Sequence, residues 1–396
     1  MYEHVPLWSL CTLNNDTLRE DTSPNVTFEY VDISSVSNGV ISDTLETYSF
    51  GDAPSRARRL AQVDDIIVST VRTYLRAITQ VSDSEHFRVY STGFVILRPL
   101  LHVVIPKYLL YVLTSADVMG EIVASSVGVS YPAIQASKLI RIRVPCPDIL
   151  SQKSIVKYLD QESADIDAML ATLDELTETL RQRRVRVIQS AVRSSRSIGI
   201  GLMLDVKLGK MLQTKPKSPT DHLQPYLRAA HIQPGGRLDL TIDTKEMYFS
   251  ERESETLSLR AGDAVIVEGG AGFGRAAYLT EDMPGWGFQN SIIRLRGASS
   301  DTRYAVYALQ AALESGEIAI ACNAATFAHF TAEKVESFRI PYHGTDEHRC
   351  IADHLDEVTG KIDAMVAKVA ELKALLVERR AALITDVVTG RKKIPS

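Results

Sequence analysis

The sequence lacks both an excess of positive charge and a long hydrophobic run. Its net charge is −5 at pH 7, and because phosphate contacts need Lys and Arg, this balance counts against a free-standing nucleic-acid-binding protein. It does not exclude DNA, since a folded chain can gather its basic residues on one face. No apolar segment approaches the roughly 20 residues that cross a bilayer, and no secretory pattern opens the chain. We therefore expect a globular protein of two or three domains without a membrane partner.

Cysteine is also scarce and scattered, and no Cys-x-x-Cys pair occurs. The cysteines are Cys11, Cys146, Cys322 and Cys350. This pattern is typical of reduced thiols in a cytoplasmic protein. The nearest approach to a metal-binding group is His343, His348, Cys350 and His354. Its spacing fits neither a zinc finger nor a zinc ribbon, so we predict no metal site and place these residues on the surface of a short helix.

Catalytic motifs are missing as well. The chain has no Asn-Pro-Pro-Tyr tetrapeptide, which a DNA adenine methyltransferase would use to hold a flipped base. It has no Gly-x-x-x-x-Gly-Lys-Ser/Thr phosphate loop. The glycine run of residues 269–275 departs from dinucleotide-binding spacing, so a turn or a DNA-facing loop explains it better than a cofactor site. We predict a non-catalytic chain without a cofactor.

What the chain does contain is a long internal repeat. Residues 166–169 (Ile-Asp-Ala-Met) recur letter for letter at residues 362–365, a spacing of 196 (362 minus 166). The same spacing relates Val144-Pro145 to Ile340-Pro341, Leu159-Asp160 to Leu355-Asp356, and Arg183-Arg184 to Arg379-Arg380. Because the repeat is close to half the chain, it indicates a duplication rather than a solenoid.

Each copy carries apolar residues at heptad spacing, which predicts a long helix with a coiled-coil seam. The seam of the first copy is Ile166, Met169, Leu173, Leu176 and Leu180. The seam of the second copy is Ile362, Met365, Val369, Leu372 and Leu376. Parallel and antiparallel pairing both satisfy these heptads.

Two polar positions interrupt this pattern. Arg183 and Arg379 stand at a seam position, where a polar residue either fixes the register or packs its stem while its head reaches water. Both alternatives remain open. Ser163 and Thr359 can act as helix N-caps, so we predict a break between a short helix and the long helix at each of them.

The remaining parts, about 1–143 and 205–339, have a different texture. Short β-branched runs alternate with helical stretches near residues 108–119 and 304–315, which predicts mixed α+β globules. Two motifs align between the globules: Asp64-x-x-Ile67-Val68 with Asp263-x-x-Ile266-Val267, and Tyr74-x-Arg76-Ala77 with Phe273-x-Arg275-Ala276. We expect a shared framework with diverged loops.

The order of these parts is similar to that of the specificity (S) subunit of Type I restriction–modification systems. The motif that carries the resemblance most strongly is Pro341, Glu347, Ile351, Leu355-Asp356, Thr359 and Ile362-Asp363. The resemblance covers the whole chain. It implies two similar α+β target-recognition domains, separated by two long helices that form an antiparallel coiled coil with an internal pseudo-twofold repeat. The implied domain boundaries are 1–143 and 199–339 for the globules, and 144–198 and 340–396 for the helical regions.

The same resemblance implies a function and partners. Each globule would read one half of a split sequence in double-stranded DNA. The helices would bind two methyltransferase subunits, and restriction (translocase) subunits would complete the assembly. The seam residues, together with Arg183 and Arg379, are then the expected spacer and subunit-interface positions.

Base reading needs polar or basic side chains that enter a DNA groove, and loops that follow strands are the candidates. The candidates in the first globule are Thr70, Arg72, Thr73, Tyr74 and Arg76. Those in the second globule are Lys215, Lys217, Gly270, Gly272 and Arg275. Because Arg76 and Arg275 align, we expect them to contact phosphate or stabilise the fold rather than specify a base. The alternative for each single residue is a solvated turn.

Two other functions compete with DNA recognition. A structural adaptor, with two protein-binding globules on a coiled coil, would explain the duplication and the heptads equally well. A single-chain endonuclease would need a constellation of carboxylates and lysine that the sequence lacks. The motif match in the short helices favours the specificity subunit over the adaptor.

Overall fold

The computed structural model describes residues 2–37, 39–82, 87–128, 131–322 and 329–395. The chain forms two compact units. Unit 1 combines Met1–Leu173 with Ala370–Ser396, and unit 2 is Asp174–Val369. Each unit therefore contains one globule together with one part of each long helix.

The globule of unit 1 is built mainly from short strands. Its strands are β1 (His4–Pro6), β2 (Cys11–Leu13), β3 (Asp16–Thr17), β4 (Thr27–Val31), β5 (Val36–Ser37), β6 (Val40–Ile41), β7 (Glu46–Ser49), β8 (Ala57–Leu60), β9 (Ile66–Ser69), β10 (Ile78–Gln80), β11 (Arg88–Ser91), β12 (Phe94–Pro99) and β13 (Arg143–Pro145). Its helices are α1 (Pro106–Thr114), α2 (Ala116–Ala124), α3 (Ala136–Leu139) and the first part of α4 (Ile149–Val192). The main sheets have the orders β10-β9-β12-β2 and β3-β8-β11-β4-β7.

Unit 2 repeats the first of these sheets. Its strands are β14 (Ser197–Gly199), β15 (Asp205–Leu208), β16 (His222–Leu227), β17 (Ile232–Gln233), β18 (Arg237–Leu238), β19 (Glu246–Phe249), β20 (Ala264–Val267), β21 (Ala276–Tyr278), β22 (Gly287–Phe288), β23 (Ile292–Arg296) and β24 (Arg339–Pro341). Its helices are α5 (Glu251–Thr256), α6 (Ser299–Glu314), α7 (Glu317–Ala321), α8 (Ala332–Ser337) and the first part of α9 (Thr345–Val388). The sheet β21-β20-β23-β15 has the same antiparallel order as β10-β9-β12-β2, which confirms the predicted shared α+β framework.

A buried carboxylate–guanidinium pair recurs in the two sheets. Arg98 donates two hydrogen bonds, of 3.0 and 2.9 Å, to Asp65, and Arg296 donates two of 2.6 Å to Asp263. Both carboxylates are buried, and such bidentate pairs satisfy buried charge well. The spacing here is 198 (263 minus 65), so Asp263 corresponds to Asp65. The predicted match with Asp64 is therefore wrong by one residue.

The predicted break in the long helices is also wrong. α4 and α9 each run unbroken for 44 residues. The cap of α4 lies earlier, where Asp148 accepts a 3.0 Å hydrogen bond from Ser151 N. Thr359 stays inside α9 because its hydroxyl donates to Leu355 O, one turn back, at 2.6 Å. A mid-helix hydroxyl satisfied in this way does not need to cap anything.

The long helices run antiparallel within each unit, as the resemblance implied. In unit 2, Arg184 Nε lies 3.2 Å from Asp363 Oδ1, and later in α4 Ala191 lines a groove with Ile351, which is earlier in α9. In unit 1, Arg380 pairs with Asp167, and later in α9 Val387 belongs to the same core cluster as Ile155, which is earlier in α4. Each pair is the other shifted by 196 residues (363 minus 167, and 380 minus 184).

The helix–helix contact, however, uses only six of the ten predicted seam residues. Ile166, Leu180, Ile362, Val369 and Leu376 are buried, and Leu173 is half-buried. The alternate members are exposed: Met169, Leu176, Met365 and Leu372. The contact instead takes the neighbouring positions, which include half-buried Leu170, Val366, Arg184 and Arg380. The apolar stripe is wider than one helix contact, and the side that also forms the ion pairs is the buried one.

Arg183 and Arg379 were assigned to the seam, and this assignment is wrong too. Both side chains are exposed. The next residue in each copy, Arg184 or Arg380, forms the ion pair between the helices. This exposure contradicts the first alternative for Arg183, a polar residue that fixes the register at the seam. The second alternative, a stem that packs while its head reaches water, is compatible with an exposed side chain that lines a groove beside Val187.

Candidate nucleic-acid interface

The loop between β9 and β10 is tied to its neighbours by its backbone. Thr70 N donates to Gly93 O at 2.9 Å, and Arg72 N donates to Pro132 O at 2.8 Å. Ile134 N donates to Thr70 O at 2.8 Å. These bonds join the loop to the turn between β11 and β12 and to the segment before α3. The loop is therefore a fixed platform rather than a free tip.

The five candidates on this loop divide into two groups. Thr70 and Thr73 point inwards: the Thr70 hydroxyl donates to Gly93 O at 2.9 Å, and the Thr73 hydroxyl lies 2.9 Å from that of Ser126. Their hydrogen-bonding groups are occupied by the fold. The side chains of Arg72, Tyr74 and Arg76 are exposed. Only these three could reach DNA.

The corresponding loop of unit 2, between β20 and β21, has the same backbone shape. Ser69 N donates to Ala77 O, and Val267 N donates to Arg275 O. The equivalence therefore has a spacing of 198 (275 minus 77). Arg275 corresponds to Ala77, and Arg76 corresponds to Gly274. The expectation that Arg76 and Arg275 are equivalent is wrong, because the strand hydrogen bonds decide the register and the shared letters do not.

This register explains the glycine run of unit 2. Gly270 and Gly274 have φ of 78° and 74°, in the left-handed region that favours glycine. A Cβ on Gly274 would lie only 2.9 Å from Leu313 Cδ1 of α6. The run is a tight turn packed on a helix. Gly270 and Gly272, although candidates, present no side chain that could distinguish bases.

Arg275 lies at the base of its loop rather than at the tip. It lines a cleft of about 210 Å³ together with Arg184, Gly235, Gln310 and Glu314. Within this cleft Arg184 donates to Gln310 Oε1 at 3.1 Å and to Gly235 O at 2.9 Å. The structure thus groups Arg275 with the long helix α4, apart from the exposed side chains expected of a DNA-reading loop.

Lys215 and Lys217 lie on the exposed connection between β15 and β16. This connection is ordered by Asp221, whose carboxylate accepts hydrogen bonds from Lys217 N at 2.8 Å and Ser218 N at 3.2 Å. These backbone bonds hold the pKa of Asp221 below its usual range. Both lysine side chains remain exposed, so they are available for phosphate contacts.

Sequence reasoning missed Glu268, which takes the place of Thr70 in unit 2. Glu268 N donates to Ser291 O at 2.9 Å, as Thr70 N does to Gly93 O. Its side chain is half-buried. A carboxylate at this position could accept from a cytosine amino group, whereas the Thr70 hydroxyl is already bonded to Gly93 O. The signal that could have found it is its place directly after a buried strand.

Sequence reasoning also missed a tyrosine in each globule that bonds the strand directly before its long helix. Tyr108 donates to Pro145 O at 3.0 Å, and Tyr304 donates to Pro341 O at 3.0 Å. Tyr304 lies 196 residues after Tyr108 (304 minus 108), and Pro341 lies 196 residues after Pro145 (341 minus 145). A search for identical residues at this spacing would have found them.

A second tyrosine, in α1 of unit 1 and in α6 of unit 2, bonds the aspartate of the Leu-Asp motif. Tyr111 donates to Asp160 at 2.6 Å, and Tyr307 donates to Asp356 at 2.6 Å. Burial is the main cause that raises the pKa of both phenols above the usual range, and the bond to the carboxylate is the second cause. The hydroxyls therefore stay protonated and remain donors. The repeated aspartates thus position the globules.

Two further observations concern metal sites and membrane spans in the described residues. No group of three or more His, Cys, Asp or Glu within the described residues is arranged to hold a metal ion. None of the helices in the described part of the chain could cross a membrane.

The prediction that His348 lies on a helix surface is wrong. It is fully buried, stacks on Tyr304 and bonds Asp301 at 2.7 Å, because its ring fills the junction between α6 and α9.

Comparisons with known proteins found one matching family model and several solved structures of similar fold. Residues 200–374 match the family model described as Type I restriction modification DNA specificity domain. A chain from a structure on complex assembly and conformational transition of the type I R-M system is similar at 21% identity with a TM-score of 0.76, over 98% of this chain and 97% of that one. The HsdS subunit from Thermoanaerobacter tengcongensis is similar at 20% identity with a TM-score of 0.54, over 99% and 97%. At such identities these two likenesses show the fold. No curated protein matches the sequence significantly.

Proposed function

We propose that this chain, which carries a Type I restriction modification DNA specificity domain at residues 200–374, is the sequence-recognition subunit of a Type I restriction–modification complex. In this proposal it reads a bipartite site in double-stranded DNA, one half with each globule. The domain boundaries expected from the sequence, 1–143 and 199–339 for the globules, belong to the same proposal.

The observation that carries the proposal is the repetition of the anchoring contacts. The family model covers most of unit 2 and none of the first globule. Unit 1 nevertheless repeats the Tyr–Asp and Tyr–Pro anchors of unit 2 and the order of its four-stranded sheet. A second domain with the same framework and anchors supports a second recognition domain, and hence a two-part site.

The loops support different reading by the two globules. Where unit 1 presents Arg72 and Arg76, unit 2 has Gly270 and Gly274. Where unit 1 has Thr70, unit 2 has Glu268. A shared framework with different side chains at matching positions is what two recognition domains for different half-sites require.

The exposed apolar stripe supports the scaffolding part of the proposal. In unit 2 it includes Leu176 and Met365, and a nearby groove of about 840 Å³ is lined by Val187, Ala191 and Ile351 among others. In unit 1 it includes Met169 and Leu372. Exposed apolar surface of this kind marks protein-binding sites. Because the stripe occurs once per copy, we propose two methyltransferase subunits as its partners, with restriction subunits joining that assembly.

The chain itself would be non-catalytic and cytoplasmic in this proposal. Methyl transfer and ATP-driven translocation would belong to the partner subunits, and no cofactor would bind here. The role of this chain would then be to hold the complex on its sequence by contacts to bases and phosphates.

Methylome sequencing of the host tests the proposal. Deleting this chain should abolish one split methylated-adenine motif, and returning the intact chain should restore it. A matched control returns the chain without residues 1–143, which should not restore the split motif. Persistence of the motif in the deletion strain, or restoration by the truncated chain, would contradict the proposed function.

A further inference from the structure

Two arginines of the β9–β10 loop are held in an unfavourable backbone conformation. Arg72 has φ of 50° and Arg76 has φ of 52°, both in the left-handed region. The corresponding positions of unit 2 are Gly270 and Gly274, with φ of 78° and 74°. Glycine adopts this conformation without a steric penalty, whereas a residue with a Cβ does not. The fold therefore needs the conformation at both places, but it does not need arginine.

The side chain of Arg72 is held in place and yet has no bonding partner among the described residues. Its guanidinium carbon lies 4.9 Å from the centre of the Tyr131 ring. Its backbone N–H donates to Pro132 O, which places the loop directly beside Tyr131. A guanidinium that lies over a ring is oriented through its face. Its N–H groups, which lie in the guanidinium plane, remain free to donate.

Two other arginines of unit 1 behave differently. Arg98 is used in a bidentate pair with Asp65, and Arg88 bonds Glu29 at 2.9 Å. Those two have structural partners. Arg72 combines an exposed head, an aromatic support and a strained backbone, and strained positions of this kind occur mainly at functional sites.

We infer that Arg72 reads a guanine in the half-site of unit 1, by donating two hydrogen bonds to O6 and N7 in the major groove. This inference rests on the proposed function and deepens it. A planar, pre-oriented guanidinium matches the two adjacent acceptors of guanine, which no other base presents in the major groove. Unit 2 has only Gly270 at this position, so this contact belongs to one half-site alone.

The variant Arg72→Gly tests whether Arg72 is needed for guanine recognition without disturbing the fold. Glycine adopts the left-handed conformation without a Cβ clash, and this relief offsets the greater entropy of the unfolded chain, so the variant should unfold at about the temperature of the intact chain. The readout is competition binding by the assembled complex, with DNA probes that carry each base at each position of the methylated motif. Intact complex should prefer guanine at one position of the unit 1 half-site by roughly 5- to 150-fold.

In Arg72→Gly that preference should fall to near onefold, while discrimination at all other positions stays the same. Arg141→Ala, which removes another exposed arginine of unit 1, is the matched control and should retain the guanine preference. The half-site of unit 1 is the one that changes when residues 1–143 are exchanged.

Three results would overturn the inference alone. They are an unchanged guanine preference in Arg72→Gly, an equal loss of affinity for every probe, and a loss of discrimination in the other half-site. Failure of the intact complex to bind any split site would instead overturn the proposed function, so the two failures are distinguishable.

Discussion

The phenol of Tyr307 in α6 donates a 2.6 Å hydrogen bond to the carboxylate of Asp356 in α9. Arg303 lies 2.9 Å from the same carboxylate. In unit 1, Tyr111 bonds Asp160 at 2.6 Å and Lys107 lies 3.7 Å from it. The Leu-Asp motif is therefore one partner of a contact that attaches a globule to its long helix.

Tyr307→Phe removes the donor and leaves the buried ring in place. We expect the free energy of unfolding to fall by about 1–3 kcal/mol, because a hydrogen bond to a charged group is lost. Chemical denaturation of the purified chain measures this change. Tyr74→Phe is the control, since Tyr74 is exposed. Equal stabilities of the two variants would show that the bond to Asp356 does not hold the globule.

Arg184→Ala should destabilise the chain, whereas Arg183→Ala should not. Arg184 is bonded to Asp363, Gln310 and Gly235 O, and losing these contacts should reduce the free energy of unfolding by on the order of 2 kcal/mol. Asp363 is half exposed, so water can replace its partner and limit the cost. Arg183 is exposed, and its removal should stay within about 0.5 kcal/mol. Thermal melting of both variants checks the difference; a larger effect at Arg183 would restore the original seam assignment.

Leucines on the two sides of the long helix should behave oppositely. Leu180 is buried, and Leu180→Ala should lower the free energy of unfolding by about 2–5 kcal/mol. Leu176 is exposed, and Leu176→Ala should change it by only about 0.5 kcal/mol. If the exposed stripe binds a methyltransferase subunit, Leu176→Ala should weaken that binding in a titration. Normal subunit binding by Leu176→Ala with the full stability of the intact chain would count against this surface.

Exchange of residues 199–339 for the same region of another specificity subunit should change one half of the methylated motif only. The reason is that this globule has its own core and its own anchors, from Tyr307 to Asp356 in α9 and from Tyr304 to Pro341 in β24. Methylome sequencing of a strain carrying the chimera gives the new motif. A simultaneous change in both halves would refute independent reading by the two globules.

The length of the helices should set the gap between the half-sites. One heptad inserted after Glu175 and one after Glu371 keeps the seam pattern and lengthens each helix by about 10.5 Å. This is about three base-pair steps of 3.4 Å. We expect the unread gap in the methylated motif to lengthen accordingly. A fully active variant with an unchanged gap would show that the helices do not act as a spacer.

The sequence by itself determined the duplication, the two long helices and the mixed α+β globules. These features depend on local spacing: heptads specify helices, and short β-branched runs between turns specify strands. The absence of a break at Ser163 and Thr359 was not readable, because a hydroxyl can cap a new helix or bond back within an existing one. Only the completed helix shows which of these occurs.

Tertiary structure decided three further features. The side of the apolar stripe that is buried depends on the partner helix, so Leu180 is covered while Leu176 is exposed. The loops align at a spacing of 198 rather than the 199 that the shared letters indicated (275 minus 76), because hydrogen bonds between strands set the register. The direction in which a loop side chain points depends on its φ and its neighbours, so Thr73 is buried and Arg72 is exposed. Each depends on contacts between residues far apart in sequence, which local patterns do not contain.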